Sequence, residues 1–255
     1  MCANENKRLL KVESLGKDFE VTSRFASYTK KVLDDITFDV KLGETFGICG
    51  EGGSGKTGLL IGIYYLDPPS CGRVFFDSEN LRDLKGRKLI EIRKKMQMVF
   101  QDPYTSLHPR FTAEYNVKEA FVINGSVSKR QIRERVKELL NLVGINLKFM
   151  NFTPNQFSGG QRQRISIARA LAMNPKLILF DSPTSLLDVS IKAQVLNLIK
   201  DLQKKLNLTY VITENDLGIL KQISDKIAVI YEGKFIEVAS RDLLYSQPRH
   251  PYTIA

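Results

Sequence analysis

Residues 50–57 read Gly50-Glu51-Gly52-Gly53-Ser54-Gly55-Lys56-Thr57, a complete G-x-x-x-x-G-K-[ST] loop. The stretch before it, VLDDITFDVKLGETFGIC, has strand character, and Thr57–Leu66 reads as a helix stopped near Pro68-Pro69. A strand–loop–helix setting is the context that gives this motif its meaning. Glycines let backbone N–H groups approach phosphates, and the helix N-terminus favours their negative charge. Lys56 is expected to reach the β- and γ-phosphates, and Thr57 to ligate Mg²⁺. No N-K-x-D sequence is present to read guanine, so the expected nucleotide is ATP.

Working outward, LLKVESLGKDFEV alternates apolar and polar residues and reads as strand, as do CGRVFFDSENL and MQMVFQDP. RKLIEIRKKM between them reads as a short basic helix. From about 113 to 173 the periodicity turns helical. There Ser128 is expected to N-cap, and Gly144 to C-cap, the segment SKRQIRERVKELLNLVG. The strand–helix rhythm then returns with KLILFD, ending at Asp181, followed by SIKAQVLNLIKDLQKKLN, TYVIT and IAVIYEG. Such alternation implies an α/β fold with a mostly parallel sheet. The expectation is one domain over 1–255. Its core is 1–100 and 174–255, with an antiparallel β region, and a helical lobe is inserted at 101–173.

Composition sets the outer limits. At 43% hydrophobic and 26% charged residues the chain is of ordinary globular type. Its longest apolar run, Leu59–Leu66, is too short to span a bilayer, and the N-terminus lacks a signal-peptide core. A cytoplasmic protein is expected. Cys2, Cys49 and Cys71 lack metal-like spacing, and His108 and His250 are the only histidines, so a histidine-rich metal site is excluded. The net charge is +10. Its basic residues are dispersed and no nucleic-acid signature accompanies them, so no nucleic-acid partner is expected.

A second motif, FSGGQRQR at 157–164, narrows the reading. It resembles the S-G-G-Q signature of ABC-type ATPases, and the resemblance covers essentially the whole chain. It implies a P-loop NTPase with a RecA-like core, acting as a head-to-tail pair. Ser158, Gly159, Gly160 and Gln161 of one subunit close over the γ-phosphate held by the other. The physical logic is a second glycine-rich helix start aimed at an anion. By the same resemblance Gly50, Gly52, Gly53, Ser54, Gly55, Lys56, Thr57 and Gly58 hold the phosphates, and Phe19 stacks on adenine. Asp181 holds Mg²⁺ together with Thr57. Gln101 senses Mg²⁺ and γ-phosphate, and Asp188 lies in the loop that communicates across the dimer. The stretches MQMVFQDPYTSLHPR, DVSIKAQVLNLIKDLQKKLNLTY and SQPRHPYT look most like the ATPase subunits of oligopeptide, dipeptide and nickel importers. Members of that group usually continue past HPYT into a cysteine-containing tail, so a tail here is either removed or lacking.

Two positions depart from the family pattern together. Ser182 stands where the family has the glutamate that polarises water, and Asn215 stands where it has the switch histidine. Serine is no general base without an activating neighbour, and asparagine donates hydrogen bonds but carries no charge. Glu214 adjoins Asn215, yet neighbouring side chains on a strand face opposite ways. Gly52 and Gly58 also replace residues that usually carry hydroxyls. Intact phosphate loop and signature, with base and switch gone, imply the degenerate half of an asymmetric heterodimer. The implied assembly is a second ABC ATPase subunit, two transmembrane permease subunits and, indirectly, a solute-binding protein, at the cytoplasmic face of the membrane. Open alternatives are a slow symmetric ABC ATPase, a non-transport regulatory ATP-binding module, and a repair- or translation-type ATPase. The last is disfavoured, because only residues 102–157 separate Gln101 from Ser158 and the chain carries one such domain.

Overall fold

A computed structural model of the protein describes residues 7–22, 27–124 and 128–254. In chain order its elements are β1 (Arg8–Thr22), β2 (Ser27–Lys41), β3 (Thr45–Cys49), α1 (Lys56–Ile63), β4 (Cys71–Phe76), β5 (Glu79–Asn80), α2 (Arg87–Lys95), β6 (Met96–Val99), α3 (Pro103–Ser106), α4 (Ala113–Asn124), α5 (Lys129–Leu142) and α6 (Gly159–Leu171). There follow β7 (Leu177–Asp181), α7 (Val189–Leu206), β8 (Thr209–Glu214), α8 (Leu217–Ile223), β9 (Lys226–Tyr231), β10 (Lys234–Ser240), α9 (Arg241–Ser246) and α10 (Pro251–Ile254). The chain divides into two compact units: residues up to Ile92 together with those from Thr209 onward, and Arg93–Leu208.

In the first unit, β1 and β2 form a long antiparallel pair, and β4 and β5 extend it in the order β2-β1-β4-β5. Its buried face carries Leu10, Val12, Leu15, Leu33, Ile36 and Val40. The β1–β2 register slips around Leu15, near the left-handed residues Ser14 (φ 45°) and Asp35 (φ 54°), as bulges do. A separate set of strands holds the core. There β3 runs parallel to both β8 and β9, and every residue of β3 and β8 is buried. Strands covered on both faces read as continuous apolar runs, which is the character of TFGIC and TYVIT. Phe46 of β3 stacks on Phe38 of β2 at 4.5 Å, and Phe235 of β10 lies 5.6 Å from Phe38.

In the second unit, β6 and β7 pair in parallel, and β7 is wholly buried. The helix α5 starts at Ser128, whose side chain accepts from the Gln131 amide while Gln131 reaches back to the Ser128 backbone, a reciprocal cap. In α7 the buried residues Val195, Leu196, Ile199 and Leu202 make one helical stripe.

The boundaries differ from the sequence expectation in a few places. The helix α1 ends at Ile63 and not at Leu66, because Tyr65 adopts φ 61° and breaks the run. Strand β6 stops at Val99, since Asp102 is the N-cap of α3 and Pro103 opens it. The C-cap of α5 is Val143, with Gly144 one residue beyond at φ 76°, the C′ position glycine favours. Helices α3, α8, α9 and α10 and strand β10 lie outside the elements expected from sequence. The β9–β10 hairpin turns through Glu232 (φ 46°) and Gly233 (φ 77°), a two-residue loop of the kind that matches strand twist.

Because Phe46 is fully buried among Phe38 and Phe235, Phe46→Ala is expected to cost about 3–5 kcal/mol. The measurement is the urea unfolding midpoint, with an unchanged slope marking an effect on the folded state.

Candidate functional site

The glycine loop is held from both sides within the first unit. The Gly50 amide donates to the Glu214 carbonyl at 3.3 Å, and the Gly233 amide donates to the Ser54 carbonyl at 3.1 Å. A Cβ on Gly50 would lie 2.5 Å from the Ile230 carbonyl oxygen and 2.7 Å from Ser54 Oγ, so only glycine fits there. Gly53 (φ 83°) and Gly55 (φ 106°) adopt left-handed backbone, which other residues enter at a cost. Gly52 and Gly58 have no heavy atom within 4 Å of a built Cβ. The absence of a hydroxyl at those two positions is therefore chosen by neither sterics nor backbone.

Lys56 is 7% exposed. Its Nζ donates to the carbonyls of Gly50 (2.6 Å) and Glu51 (2.7 Å) and lies 3.5 Å from Ser54 Oγ. A buried ammonium requires such partners, and here they hold its charge inside the loop. The N-cap of α1 is Gly55, which offers no side-chain oxygen. A helix start without a side-chain cap favours an anion through its dipole. Thr57 is exposed there. Burial pushes the thiol of Cys49, at the end of β3, up to about 11, so it stays protonated and unreactive at neutral pH.

Phe19 is 44% exposed, which a core aromatic is not. The Nζ of Lys17 stands 5.3 Å from the Phe19 ring centre and is anchored on Asp67 (2.6 Å) and the Pro68 carbonyl (2.8 Å). At the far end of β8, Glu214 is buried and Asn215 is exposed. The next residue, Asp216, caps α8 through the Gly218 amide at 2.7 Å.

Within the second unit, Asp181 ends β7 at 3% exposure. Ser182 follows, buried and left-handed at φ 40°. Its carbonyl accepts from both the amide (3.2 Å) and the hydroxyl (3.0 Å) of Ser185. Gln101 Nε2 in turn donates to Ser185 Oγ at 3.1 Å. The structure thus joins Gln101 to the turn after Asp181 through Ser185, which the sequence reading did not single out. Its signal was the S-P-T-S spacing, since a serine in a tight turn readily bonds local backbone.

Ser158 is exposed as the N-cap of α6. Its hydroxyl accepts from the Gln161 amide at 3.4 Å, and Gln161 Oε1 accepts from the Ser158 amide at 3.0 Å. A Cβ on Gly160 would come within 2.3 Å of Ile191 Cγ2, and one on Gly159 within 3.2 Å of Leu187 Cδ2. These glycines therefore also let α6 pack closely on the start of α7, a role the motif did not announce. Asp188 is the N-cap of α7, between exposed Leu186 and Val189. Among the described residues no group of three or more His, Cys, Asp or Glu side chains is arranged to hold a metal. No helix among them is long and apolar enough to cross a membrane.

A left-handed glycine loop between a buried parallel strand and an uncapped helix start defines a P-loop nucleotide-binding protein. The comparisons agree. Residues 33–185 match the ABC transporter family. The chain is 48% identical over 249 residues to the oligopeptide transport ATP-binding protein OppF of Bacillus subtilis (strain 168), covering 97% of this chain and 80% of that protein. It is 44% identical to the dipeptide transport ATP-binding protein DppF of Lactococcus lactis subsp. cremoris (strain MG1363), covering 98% and 80%. Among solved structures, the dimeric post-hydrolysis state of the ATP-binding cassette MJ0796 bound to ADP and Pi superposes with a TM-score of 0.82 at 32% identity, covering 91% of this chain and 99% of that one. The cbiO1 subunit from Clostridium perfringens, part of the ABC transporter complex cbiONQ, gives 0.81 at 28% identity, covering 95% and 92%. The chain belongs to the ABC transporter family, as one of its ATP-binding proteins.

The close approaches separate two kinds of glycine. Gly160→Ala is expected to lower stability by about 1–3 kcal/mol, because Ile191 must yield. Gly52→Ser, into open space, is expected to stay within about 0.5 kcal/mol. Thermal melts of the two variants measure the contrast.

Proposed function

We propose that this chain is the ATP-binding subunit of a peptide importer, with a site that holds MgATP and turns it over slowly beside a competent partner ATPase. The observation that carries the proposal is Ser182, a buried serine immediately after Asp181, where the resemblance calls for a carboxylate. The solute class rests on the names of the relatives, oligopeptide and dipeptide transport ATP-binding proteins. We read residues 1–255 as a single cassette.

The residues present fit a nucleoside triphosphate. Gly53 and Gly55 shape the loop, the α1 N-terminus carries no side-chain cap and its dipole favours an anion, and Lys56 supplies the positive charge. Phe19 presents an exposed ring for the base. Thr57, Asp181 and Gln101 are hard oxygen donors, the type Mg²⁺ takes along with phosphate and water. The ion would neutralise charge on the phosphates. What the chain lacks is a base for the attacking water. A positioned base is worth roughly 10²–10⁴ in rate, or about 3–5 kcal/mol of barrier. Glu214 is buried in the strand and is a poor substitute. Asn215 is exposed, so it can donate a hydrogen bond but takes up no proton.

The intact signature supports the pairing. An exposed Ser158 at the start of α6 serves a phosphate held by the other ATPase subunit, so a site without its base still completes its partner's. The permease pair, an indirect solute-binding protein and the cytoplasmic membrane face complete the proposed assembly. A slow symmetric ATPase is the second reading, and the comparison of the Ser158 and Lys56 variants in the reconstituted transporter separates it.

Calorimetry with MgATP is expected to show binding by the wild-type chain and none by Lys56→Ala, which removes the charge that neutralises the phosphates. Hydrolysis by the isolated chain is expected to be very slow and to rise on joint Ser182→Glu and Asn215→His substitution. The two act as a unit, so single changes need not add. A brisk wild-type rate would refute the degenerate site.

In the reconstituted transporter the two motifs are expected to differ in consequence. Ser158→Arg places bulk and charge where the partner's phosphate docks, and is expected to remove most ATPase activity and transport. Lys56→Ala damages the site that already lacks its base, and is expected to leave a substantial fraction. Steady-state hydrolysis of each variant decides. Equal losses would mean obligate coupling of the two sites, and survival of the Ser158 variant alone would reverse the assignment.

A further inference from the structure

Lys17 takes no part in the roles assigned above, yet its placement is unusual for a lysine. Its side chain is only 12% exposed, and a cation so covered needs partners. Two of them lie well outside β1. The Lys17 Nζ donates to Asp67 Oδ1 at 2.6 Å and to the Pro68 carbonyl at 2.8 Å. It also stands over the Phe19 ring, 5.3 Å from its centre, where the negative face of an aromatic ring attracts a cation.

The anchor leads back to the phosphate loop. Helix α1 starts at Lys56 and ends at Ile63. Just beyond its end the Tyr64 amide donates to the Leu60 carbonyl at 2.8 Å, and the Leu66 amide to the Ile61 carbonyl at 3.1 Å. Asp67 therefore follows a backbone that is fastened to the helix. Pro68 and Pro69 stiffen the chain after it, since each fixes its own φ. Two further bonds lace this segment to β1. The Ser70 amide donates to the Gly16 carbonyl at 2.9 Å, and the Asp18 amide donates to Ser70 Oγ at 3.0 Å. One end of α1 thus carries Lys56, and the segment leaving its other end holds the lysine that stands over Phe19.

An exposed aromatic side chain samples several rotamers, and a ligand that stacks on it gives up affinity in ordering it. Lys17 restricts those rotamers by standing over the ring, which still remains 44% exposed to a second partner. Asp67 and Pro68 in turn keep the ammonium in place, the one by charge and the other by its carbonyl. We propose that Lys17 is a positioning residue for base recognition: tied to the segment after α1, it holds the Phe19 ring at a set place relative to the phosphate loop, where a nucleotide base stacks on it. Its effect falls on the base of the ligand and not on the phosphates. The inference rests on the ATP-binding reading above and deepens it.

The test is calorimetry on the full chain with two probes, MgATP and magnesium tripolyphosphate, which has phosphates and no base. Lys17→Ala is expected to raise the Kd for MgATP about threefold, the scale of an exposed cation–π contact, and to leave tripolyphosphate affinity unchanged. Lys17→Arg keeps a cation for the ring and donors for Asp67, and is expected to restore most of the MgATP affinity. Lys17→Met keeps only the stem, and is expected to behave as Lys17→Ala does. In the Phe19→Ala background the Lys17→Ala change is expected to have no further effect, because the ring it acts on is gone. A general structural role would instead weaken both probes alike, or act equally in both backgrounds, and either result would overturn the proposal. So would unchanged MgATP affinity in Lys17→Ala where Phe19→Ala weakens it, and the base contact would then stand without Lys17. Unchanged affinity in Phe19→Ala would remove the base contact and the proposal together, leaving the phosphate loop as the ATP site. No MgATP binding by wild type would sink the ATP-binding reading as well. Should tripolyphosphate bind too weakly to titrate, the Phe19→Ala cycle carries the test, and should Lys17→Ala fail to fold, Lys17→Met takes its place.

Discussion

The rest of the nucleotide-binding unit depends on one close approach, that of Gly50 to Ile230 and Ser54. There is no space for a side chain, so the chain leaves β3 at a fixed place and in a fixed direction. The loop that follows can then turn through left-handed Gly53 and Gly55 and put Lys56 over its own carbonyls. Burial of every residue of β3 and β8 makes the platform rigid, because a strand covered on both faces has no solvent side to move toward. The glycines are thus confined between a wholly buried strand and a helix start that carries no side-chain cap.

The second unit solves a different problem by similar means. Ser182 is pinned in a left-handed conformation while its carbonyl takes two bonds from Ser185. Ser185 also receives Gln101, so two residues far apart in sequence share one hydroxyl. A side chain after Asp181 is held in a geometry that few non-glycine residues adopt. Strain of that kind collects at functional sites. The Ser182 carbonyl, through the two bonds it accepts from Ser185, fixes the turn after Asp181.

The signature glycines have two reasons to be glycine. One is the anion-binding logic of a helix start, which belongs to the family pattern. The other is visible only in space: Ile191 fills the position a Cβ on Gly160 would take. Ser158 and Gln161 cap each other reciprocally, so the local geometry is secured by the chain's own bonds.

The sequence by itself determined the phosphate loop, the signature, the strand-and-helix alternation and the serine that follows Asp181, because each is written in contiguous residues with strong local preferences. Glycines at fixed spacing demand special backbone, a capping serine announces a helix, and buried parallel strands are apolar throughout. Helices such as α8 and α9 were not legible, being too short to show a period, and neither was β10, whose burial is mixed along its length. Only the tertiary structure gave the physical reason for the motif glycine: a Cβ on Gly50 would meet Ile230 and Ser54, whereas one on Gly52 meets nothing. Only it joined Gln101 to Ser185, and Tyr252 to Tyr231, because such pairs depend on where distant segments of the chain meet. Local sequence carries backbone preference and hydrophobic rhythm; proximity across long stretches of chain is fixed by the packing of the whole unit.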